Sequence, residues 1–399
     1  MFERRASVAS EGSFAQTGLL AACAPLPWGV PGLQRSRLAH WLKPQGTVRA
    51  GLYAAFAHAP WLLKQQQAES AALRLPRQRA LHALAHASRR RLGEWTEQLK
   101  LAYEQHPGGL VLLSQPEQVT QVRRALESSA GMAEGLALIE ADEARQLEPG
   151  LAAKWPLKGA VKLPSAMVGN GRQLAHLLKG QAQRMQANFR FDCEVQSLRP
   201  GQPASLVTAD GQTHQFDAIV VCAGIGSRRL LASAGVKLPL LVTRFHAITA
   251  PLAQTDADAA PSLRAAVVDG SSGIVIARLG QRIRVSGITR LSTRLGASST
   301  ANDGPMPKAV QAQLYAALEA AFPGSAVARE ASHWHGPRVR VPDGAPVIGP
   351  SKAPGVWLNL GHGASGWALA FGAAQMLARQ LSDQPLPFDG SAFAASRLG

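Results

Sequence analysis
The stretch 355–381 constrains this chain more than any other. Gly355-Val356-Trp357-Leu358-Asn359-Leu360 has the apolar content and length of a short strand, and Gly361-His362-Gly363-Ala364-Ser365-Gly366 is a glycine-punctuated turn. An Ala- and Leu-rich helix follows over 364–381. A strand that turns directly into a helix gathers unpaired backbone N–H groups and the positive helix end at one point. That point can hold a polar ring or an anion; a tight turn needing positive φ would spell the same letters. Just upstream, His333-Trp334-His335-Gly336-Pro337-Arg338 sets an arginine in a Gly/Pro-punctuated loop, ahead of Pro342-Asp343-Gly344-Ala345-Pro346-Val347-Ile348-Gly349. A strand, a Gly-x-Gly-x-x-Gly turn and a helix are expected before such an architecture, and the sequence is expected to begin after them.

At 399 residues the chain has the length of two domains, and 46% apolar content with mean hydropathy near zero is that of a soluble globular fold. No apolar run reaches roughly 18 residues, so no membrane-spanning helix is expected. Lys and Arg number 42 against 26 Asp and Glu, a net charge of +16 that favours anionic partners: phospholipid head groups, nucleic acid or carboxylate substrates. Nucleic acid is the weakest of these. The basic residues from Arg74 to Arg91 are spread along a helical stretch, only Arg89-Arg90-Arg91 forms a run, and no basic patch is interleaved with aromatics. Cys23, Cys193 and Cys222 lie far apart, which excludes a zinc knuckle or a disulfide framework. Cys222, inside an apolar run, is expected to behave as a small buried hydrophobe. Leu20-Ala21-Ala22-Cys23 behind Arg4-Arg5 imitates a lipoprotein leader, but the polar stretch 6–17 cannot form its apolar core, so no leader is expected.

Along the chain, residues 1–35 read as loop. Helical spacing recurs near 38–42, over 50–64 with a break at Pro60, and strongly over 81–106, where Leu84, Ala85, Leu92, Trp95 and Leu99 share a face. Leu110-Val111-Leu112-Leu113 reads as a buried strand, and 115–130 as a helix opened by a Ser114/Glu117 capping box. A helix over 171–187 carries Leu174, Leu177, Leu178 and Met185; 189–195 alternates as a strand; 205–208 and 213–216 form a hairpin about Asp210-Gly211. Ala218 to Gly224 is a continuous apolar run, as expected of a strand buried on both faces of a sheet. Strands over 240–250, 265–268, 274–278 and 282–285 indicate a mainly antiparallel layer, followed by a helix over 307–322 bearing Val310, Leu314 and Leu318.

Arg338 is the first candidate for chemistry: its planar donor fork can grip a carboxylate bidentately, although Arg340 nearby leaves open a merely basic loop. The turn 361–366 suits the pyrimidine edge of a flavin, which becomes anionic on reduction, or a phosphate. His362 stands open between an acid/base group and a structural residue of the turn. His333-x-His335 has a metal-compatible spacing, but no carboxylate cluster or third histidine accompanies it, so no metal site is expected. Glu3, behind Phe2, stands where a dinucleotide fold hydrogen-bonds a ribose with an acid.

Further segments complete a pattern: Glu3-Arg4 through Glu11, Ser13 and Gly18; Tyr103-Glu104 to Gly108-Gly109; Leu147-Glu148-Pro149; Asp217 to Gly224; Arg282-Ile283-Arg284-Val285-x-Gly287; Trp334 to Gly349; and Trp357-Leu358-Asn359-x-Gly361-His362-Gly363-x-x-Gly366-Trp367. With them the chain resembles, almost end to end, the bacterial FAD-dependent D-amino acid dehydrogenases of the D-amino acid oxidase and glycine oxidase superfamily. The resemblance implies an α/β fold: a glutathione-reductase-like FAD-binding domain over 1–45, 150–235 and 336–399, without its first βα unit, interleaved with a mainly antiparallel α+β substrate domain over 46–149 and 236–335. It implies FAD held by Glu3, Arg4, Ser13, Val195, Cys222, Ala223, Gly224, Gly361, Gly363, Ala364, Ser365, Gly366 and Trp367. It gives Arg338 the substrate carboxylate, with His246 also at the substrate. The implied reaction converts a D-amino acid to a 2-oxo acid and ammonia, with electrons passing to a quinone-type respiratory acceptor, in the cytoplasm or peripherally on an anionic inner membrane. Glycine, sarcosine or a modified tRNA uridine are the alternative substrates. Roughly 30 residues of the family's pattern, including Gly-x-Gly-x-x-Gly, precede the match, and without them an inactive, flavin-free chain is the further alternative. His246 and Arg290 stand where relatives carry Tyr (or an acid) and Glu, which bears on substrate preference.

Overall fold
The computed structural model describes residues 1–21, 30–33, 48–49, 52–128, 135–253, 263–291 and 305–398. Cys23, the second half of the lipoprotein-like box, the helix expected near 38–42 and the expected domain boundary at 45/46 lie outside them. The largest feature is a nine-stranded sheet. Its order is Ser332–Arg340, Leu241–Pro251, Arg282–Leu291, Val275–Leu279, Ala266–Asp269, Leu110–Leu113, Gly159–Lys162, Ala137–Ile139, with the short Val48–Arg49 alongside Arg282–Leu291. All neighbours are antiparallel except Leu110–Leu113 beside Ala266–Asp269 and Val48–Arg49 beside Arg282–Leu291. Gly159–Lys162, within a stretch expected on the cofactor side, pairs into this sheet. The helix Lys308–Ala321 covers one face, burying Val310, Leu314 and Leu318 against Ile248, Ile283 and Ile288.

A second, three-stranded sheet carries the C-terminal element. Ile219–Val221 runs parallel to Val356–Leu360, which is antiparallel to Val347–Pro350. The strand Val356–Leu360 and the helix Gly366–Leu381 form as expected. That helix crosses the helix Ala71–Gln98 so closely that a Cβ on Gly372 would lie 2.5 Å from the Leu84 carbonyl oxygen. Two further three-stranded sheets are a meander of Val195–Arg199, Ala204–Thr208 and Thr213–Phe216, and a small sheet of Leu19–Leu20, Met167–Gly169 and Gln105–Pro107.

Several expectations change in detail. The apolar run 218–224 yields only the edge strand Ile219–Val221, and Cys222, Ala223 and Gly224 are exposed beyond its end. Cys222 is therefore not a core residue: it lies past the last residue of the strand, where the chain leaves the sheet, whereas Ile219 and Val221 on one face and Val220 on the other are packed. The strand expected over 189–195 reduces to one parallel bridge between Phe2 and Arg190; Asp192 takes a left-handed φ of 51° and regular pairing starts at Val195. The expected capping box is replaced. Gln118 Oε1 accepts the Ser114 and Gln115 N–H groups, while Ser114 Oγ is buried without a partner. The helix expected over 81–106 begins at Ala71 and ends at Gln98, with Lys100 in a left-handed conformation. Met185, read as part of an apolar stripe, caps its helix at the C-terminus and is exposed.

Candidate functional site
Arg338 sits on a strand rather than in a loop. Ser332–Arg340 is the edge of the nine-stranded sheet, with Arg338 opposite Thr243. An edge tolerates Pro337, whose missing N–H faces no neighbour there. Gly336 is required because the Trp334 indole folds back over it, and a Cβ would fall inside the ring's van der Waals shell. That indole stacks on Phe14 at 6.3 Å and meets Phe245 edge-on at 6.4 Å. The Arg338 guanidinium carbon in turn lies 3.3 Å from the Phe245 ring centroid. Among the described residues no carboxylate and no side-chain hydrogen bond reaches it. Burial, reinforced by Arg340, pushes its pKa down to about 9. A cation seated on an aromatic face without a counter-ion is prepared for an anion.

His246 does not join it. Along Leu241–Pro251, Thr243, Phe245 and Ala247 face one side of the sheet with Arg338 and Trp334, whereas Arg244, His246 and Ile248 face the other. There His246 is buried, its Nδ1 lies 3.1 Å from the Ile288 carbonyl oxygen, and its ring is 5.8 Å from that of His335. The expected pairing of His246 with Arg338 at the substrate is thus divided by the sheet. His333, opposite Ile248, lies on that same face farther along the strand, its Nε2 3.0 Å from the Tyr315 hydroxyl.

Three segments converge on the end of the Arg338 strand. The Gly363 N–H donates to the Val339 carbonyl at 3.1 Å, and His362 bridges Arg340. The turn Gly224–Gly226 packs on the same strand. A Cβ on Gly12 would lie 2.7 Å from the Pro337 carbonyl oxygen, so the loop carrying Ser13 presses on it from a third direction. Because Ile219–Val221 and Val356–Leu360 are parallel neighbours, Cys222-Ala223-Gly224 and the turn 361–366 leave the sheet at the same, carboxyl, end. That is where open α/β sheets hold their ligands.

Within the turn, Gly361 and Gly363 have φ of 78° and 55°. Ser365 occupies the N-cap of Gly366–Leu381, yet its side chain makes no cap hydrogen bond and its Oγ is buried without a partner. Trp367 Nε1 is also buried and unpartnered, its ring 3.2 Å from where Cβ atoms on Gly169 and Gly171 would lie. Ala364 and Gly366 are partly buried between them. Burial pushes the His362 pKa down to about 4, so the ring is neutral near pH 7 and is no cationic acid; its carbonyl accepts the Ser365 N–H.

At the N-terminus, Glu3 accepts the Arg5 N–H on Oε1 at 2.9 Å, and its backbone links to Arg190 and Cys193, which brings it to the corner where Val195 opens its strand. Arg229 donates to the Val195 carbonyl at 3.0 Å and to Glu194 at 2.6 Å. Arg4 is turned inward, gripping Glu11 with two hydrogen bonds of 2.8 and 2.6 Å, and Arg5 adds a third. Burial alone would raise the Glu11 carboxyl, but Arg4 and then Arg5 outweigh it and hold it below its ordinary value. Ser13 is exposed at the tip of this loop. Phe14, Phe245 and Trp334, the seat of Arg338, were not among the expected site residues. The period-two alternation of 241–251 was the signal available for Phe245, but only strand register puts it under Arg338.

An acid at one corner, exposed strand ends along the middle, buried unpartnered polar atoms at a helix start and, beyond them, a cation with no counter-ion among the described residues make a surface that suits an elongated dinucleotide. The comparisons agree in class. Residues 1–380 match the family model DAO, FAD dependent oxidoreductase, and the chain belongs to that family of FAD-dependent enzymes. It is 30% identical, over all of its own length and 94% of the relative's, to a D-amino acid dehydrogenase of Sinorhizobium medicae. It is 32% identical to a D-amino acid dehydrogenase of Cereibacter sphaeroides, covering 94% of this chain and 84% of the relative. Among solved structures, glycine oxidase from Geobacillus kaustophilus superposes with a TM-score of 0.70 at 20% identity, over 99% of this chain and 91% of that one, a likeness of fold.

Proposed function
We propose that the protein oxidises D-amino acids at the Cα–N bond, yielding an imino acid that water converts to a 2-oxo acid and ammonia, and that the electrons leave to a quinone-type acceptor. The observation that carries this reading is the Arg338 cation on Phe245, with no counter-ion among the described residues, beside the turn 361–366. When bound, FAD supplies the two-electron acceptor for the hydrogen leaving Cα. Arg338 binds the substrate carboxylate bidentately and fixes the orientation of Cα, which is its contribution to rate. The N–H groups at the start of Gly366–Leu381, with those of the turn that the Val339 and His362 carbonyls do not take up, stabilise negative charge that develops at the ring edge. Glu3 and Val195 hold the adenosine end, and Cys222-Ala223-Gly224 flank the middle. Phe245 and Trp334 exclude water from around the guanidinium, which strengthens its grip on a carboxylate. No side-chain base is needed if the amine binds neutral, and the neutral His362 supplies no acid.

The test is turnover by the FAD-loaded protein across D- and L-amino acids, glycine and sarcosine, with 2-oxo acid measured directly and a soluble quinone compared with oxygen as acceptor. The reading expects D-amino acids and the quinone to win both comparisons. Preference for glycine or sarcosine would move the substrate, and preference for oxygen would make the enzyme an oxidase.

A further inference from the structure
A second arginine rests on the aromatic cluster that seats Arg338. Arg172 is the second residue of the helix Gly171–Arg184, and its guanidinium carbon lies 4.2 Å from the Phe14 ring centroid. Phe14 stacks on Trp334, Trp334 meets Phe245 edge-on, and Arg338 sits on Phe245. The rings therefore form one connected run with a cation on each end ring. Two contacts fix Arg172 there. The Gly169 N–H donates to the Gly18 carbonyl at 2.9 Å, which ties the approach to the helix to the loop bearing Phe14. Gly171 packs on the ring of Trp367, at the start of the helix behind the turn 361–366.

Among the described residues Arg172 has no ion pair and no hydrogen bond, and its Nε is buried without a partner. No acid stands in the first turn of its helix. His176, one turn on, is held below its ordinary value first by burial and then by Arg172 and Lys179, as positive charge without compensation requires. Neighbouring arginines are taken up: Arg284 donates to the Thr249 hydroxyl and the Gln16 carbonyl, and Arg4 and Arg5 donate to Glu11. A guanidinium on an aromatic face, with a buried donor left over, is prepared for an anion as Arg338 is.

We propose that Arg172 binds a second anionic group of the substrate, so that the site selects dicarboxylic molecules: Arg338 takes the α-carboxylate and Arg172 the carboxylate of the side chain. That the substrate is an acidic D-amino acid rests on the reaction proposed above; the pairing of two carboxylates with two arginines does not. FAD carries its fixed charge on the pyrophosphate, which that reading lays along Cys222-Ala223-Gly224 and not along the rings. Beside three aromatic rings a guanidinium and a carboxylate attract more strongly than in open water, and the planar donor fork matches a carboxylate as a lysine cannot.

The test is binding of carboxylates to the FAD-loaded protein, followed by perturbation of the flavin spectrum and needing no turnover. The probes are malonate, succinate and glutarate, each against propionate, butyrate and valerate of matching length. At least one dicarboxylate is expected to bind about ten- to a hundredfold more tightly than its monocarboxylate, the scale of one added charged pair. The chain length that binds best reads the span between the two guanidinium groups. Arg172→Gln brings the pair to equal affinity, Arg172→Lys keeps part of the preference, and Arg338→Met weakens both. Melting temperature and bound flavin check folding, and Arg172→Met replaces Arg172→Gln if that variant fails. In turnover, D-aspartate or D-glutamate is expected to exceed D-alanine in kcat/KM through a lower KM, and Arg172→Gln to abolish the difference. Equal wild-type binding of mono- and dicarboxylates overturns the proposal, as does a preference that survives Arg172→Gln. Loss of flavin from Arg172→Gln with the preference retained also overturns it and makes Arg172 a cofactor contact. Dicarboxylate preference that depends on Arg172, without oxidation of any D-amino acid, upholds the two-arginine site and contradicts the reaction instead.

Discussion
Replacing Arg338 by Met is expected to move stability and activity in opposite directions. No described residue gives the folded guanidinium an ionic partner, and burial pushes its pKa well below the ordinary guanidinium value, to about 9. At about 1.4 kcal/mol per factor of ten, that fall bounds the strain at roughly 5 kcal/mol, and remaining solvent contact and the Phe245 face reduce it to about 2 kcal/mol. Met keeps the apolar contact with Phe245 and removes the charge, so the substrate-free protein gains about 1–2 kcal/mol. No acid is left orphaned, since none pairs with Arg338 among the described residues. The substrate carboxylate loses a bidentate, charge-assisted partner in a partly desolvated site, worth about 3–4 kcal/mol, so kcat/KM falls roughly a hundred- to a thousandfold. Urea unfolding and steady-state kinetics on the same preparations test both halves. A variant that is less stable than the parent, or that retains full kcat/KM, refutes the reasoning.

Three more outcomes follow from the same geometry. Gly336→Ala should cost about 1–3 kcal/mol by overpacking against Trp334, yet be neutral in a Trp334→Leu background; equal costs in both backgrounds on thermal unfolding would contradict the indole contact. Glu11→Gln should cost about 1.5–3 kcal/mol near pH 7 through its lost hydrogen bonds to Arg4 and Arg5. Because the folded Glu11 carboxyl titrates below its ordinary value, that stabilisation is present above the ordinary carboxylate range and vanishes as pH falls through the folded value, so parent and variant melting curves should converge in acid. His246, pushed down to about 4 first by burial and further by His335, Arg290 and Arg244, is neutral when folded, although the Ile288 carbonyl works in the other direction. The unfolded chain takes up its proton near 6.5, so stability falls between there and pH 4, by up to about 2 kcal/mol at pH 5, and His246→Asn should flatten that slope.

The parts of this molecule legible in its sequence are those set by local geometry. Val356–Leu360, the turn 361–366 and the helix behind it follow from strand length, positive-φ glycines and apolar spacing, and the antiparallel layer follows from alternation in 241–291. What register decides was not legible. Gly336 and Pro337 spell a loop, but an edge strand accepts both, and the indole of Trp334 fills the space that Gly336 leaves. His246 lies close to Arg338 in pairing order yet on the opposite face, since successive side chains alternate. The apolar run ending at Cys222 does pack on both faces over Ile219–Val221, but hydrophobicity does not report that the strand stops before Cys222. Phe245 and Trp334 belong to the site only through contacts between distant segments.

The most direct measurement of the central claim is the visible spectrum of the FAD-loaded protein under anaerobic conditions, before and after D-alanine and, separately, L-alanine. Bleaching of the flavin bands by D-alanine alone, and its loss in Arg338→Met with the cofactor still bound, is the predicted result. Bands that persist with every D-amino acid while glycine, sarcosine or an L-amino acid bleaches them would contradict it.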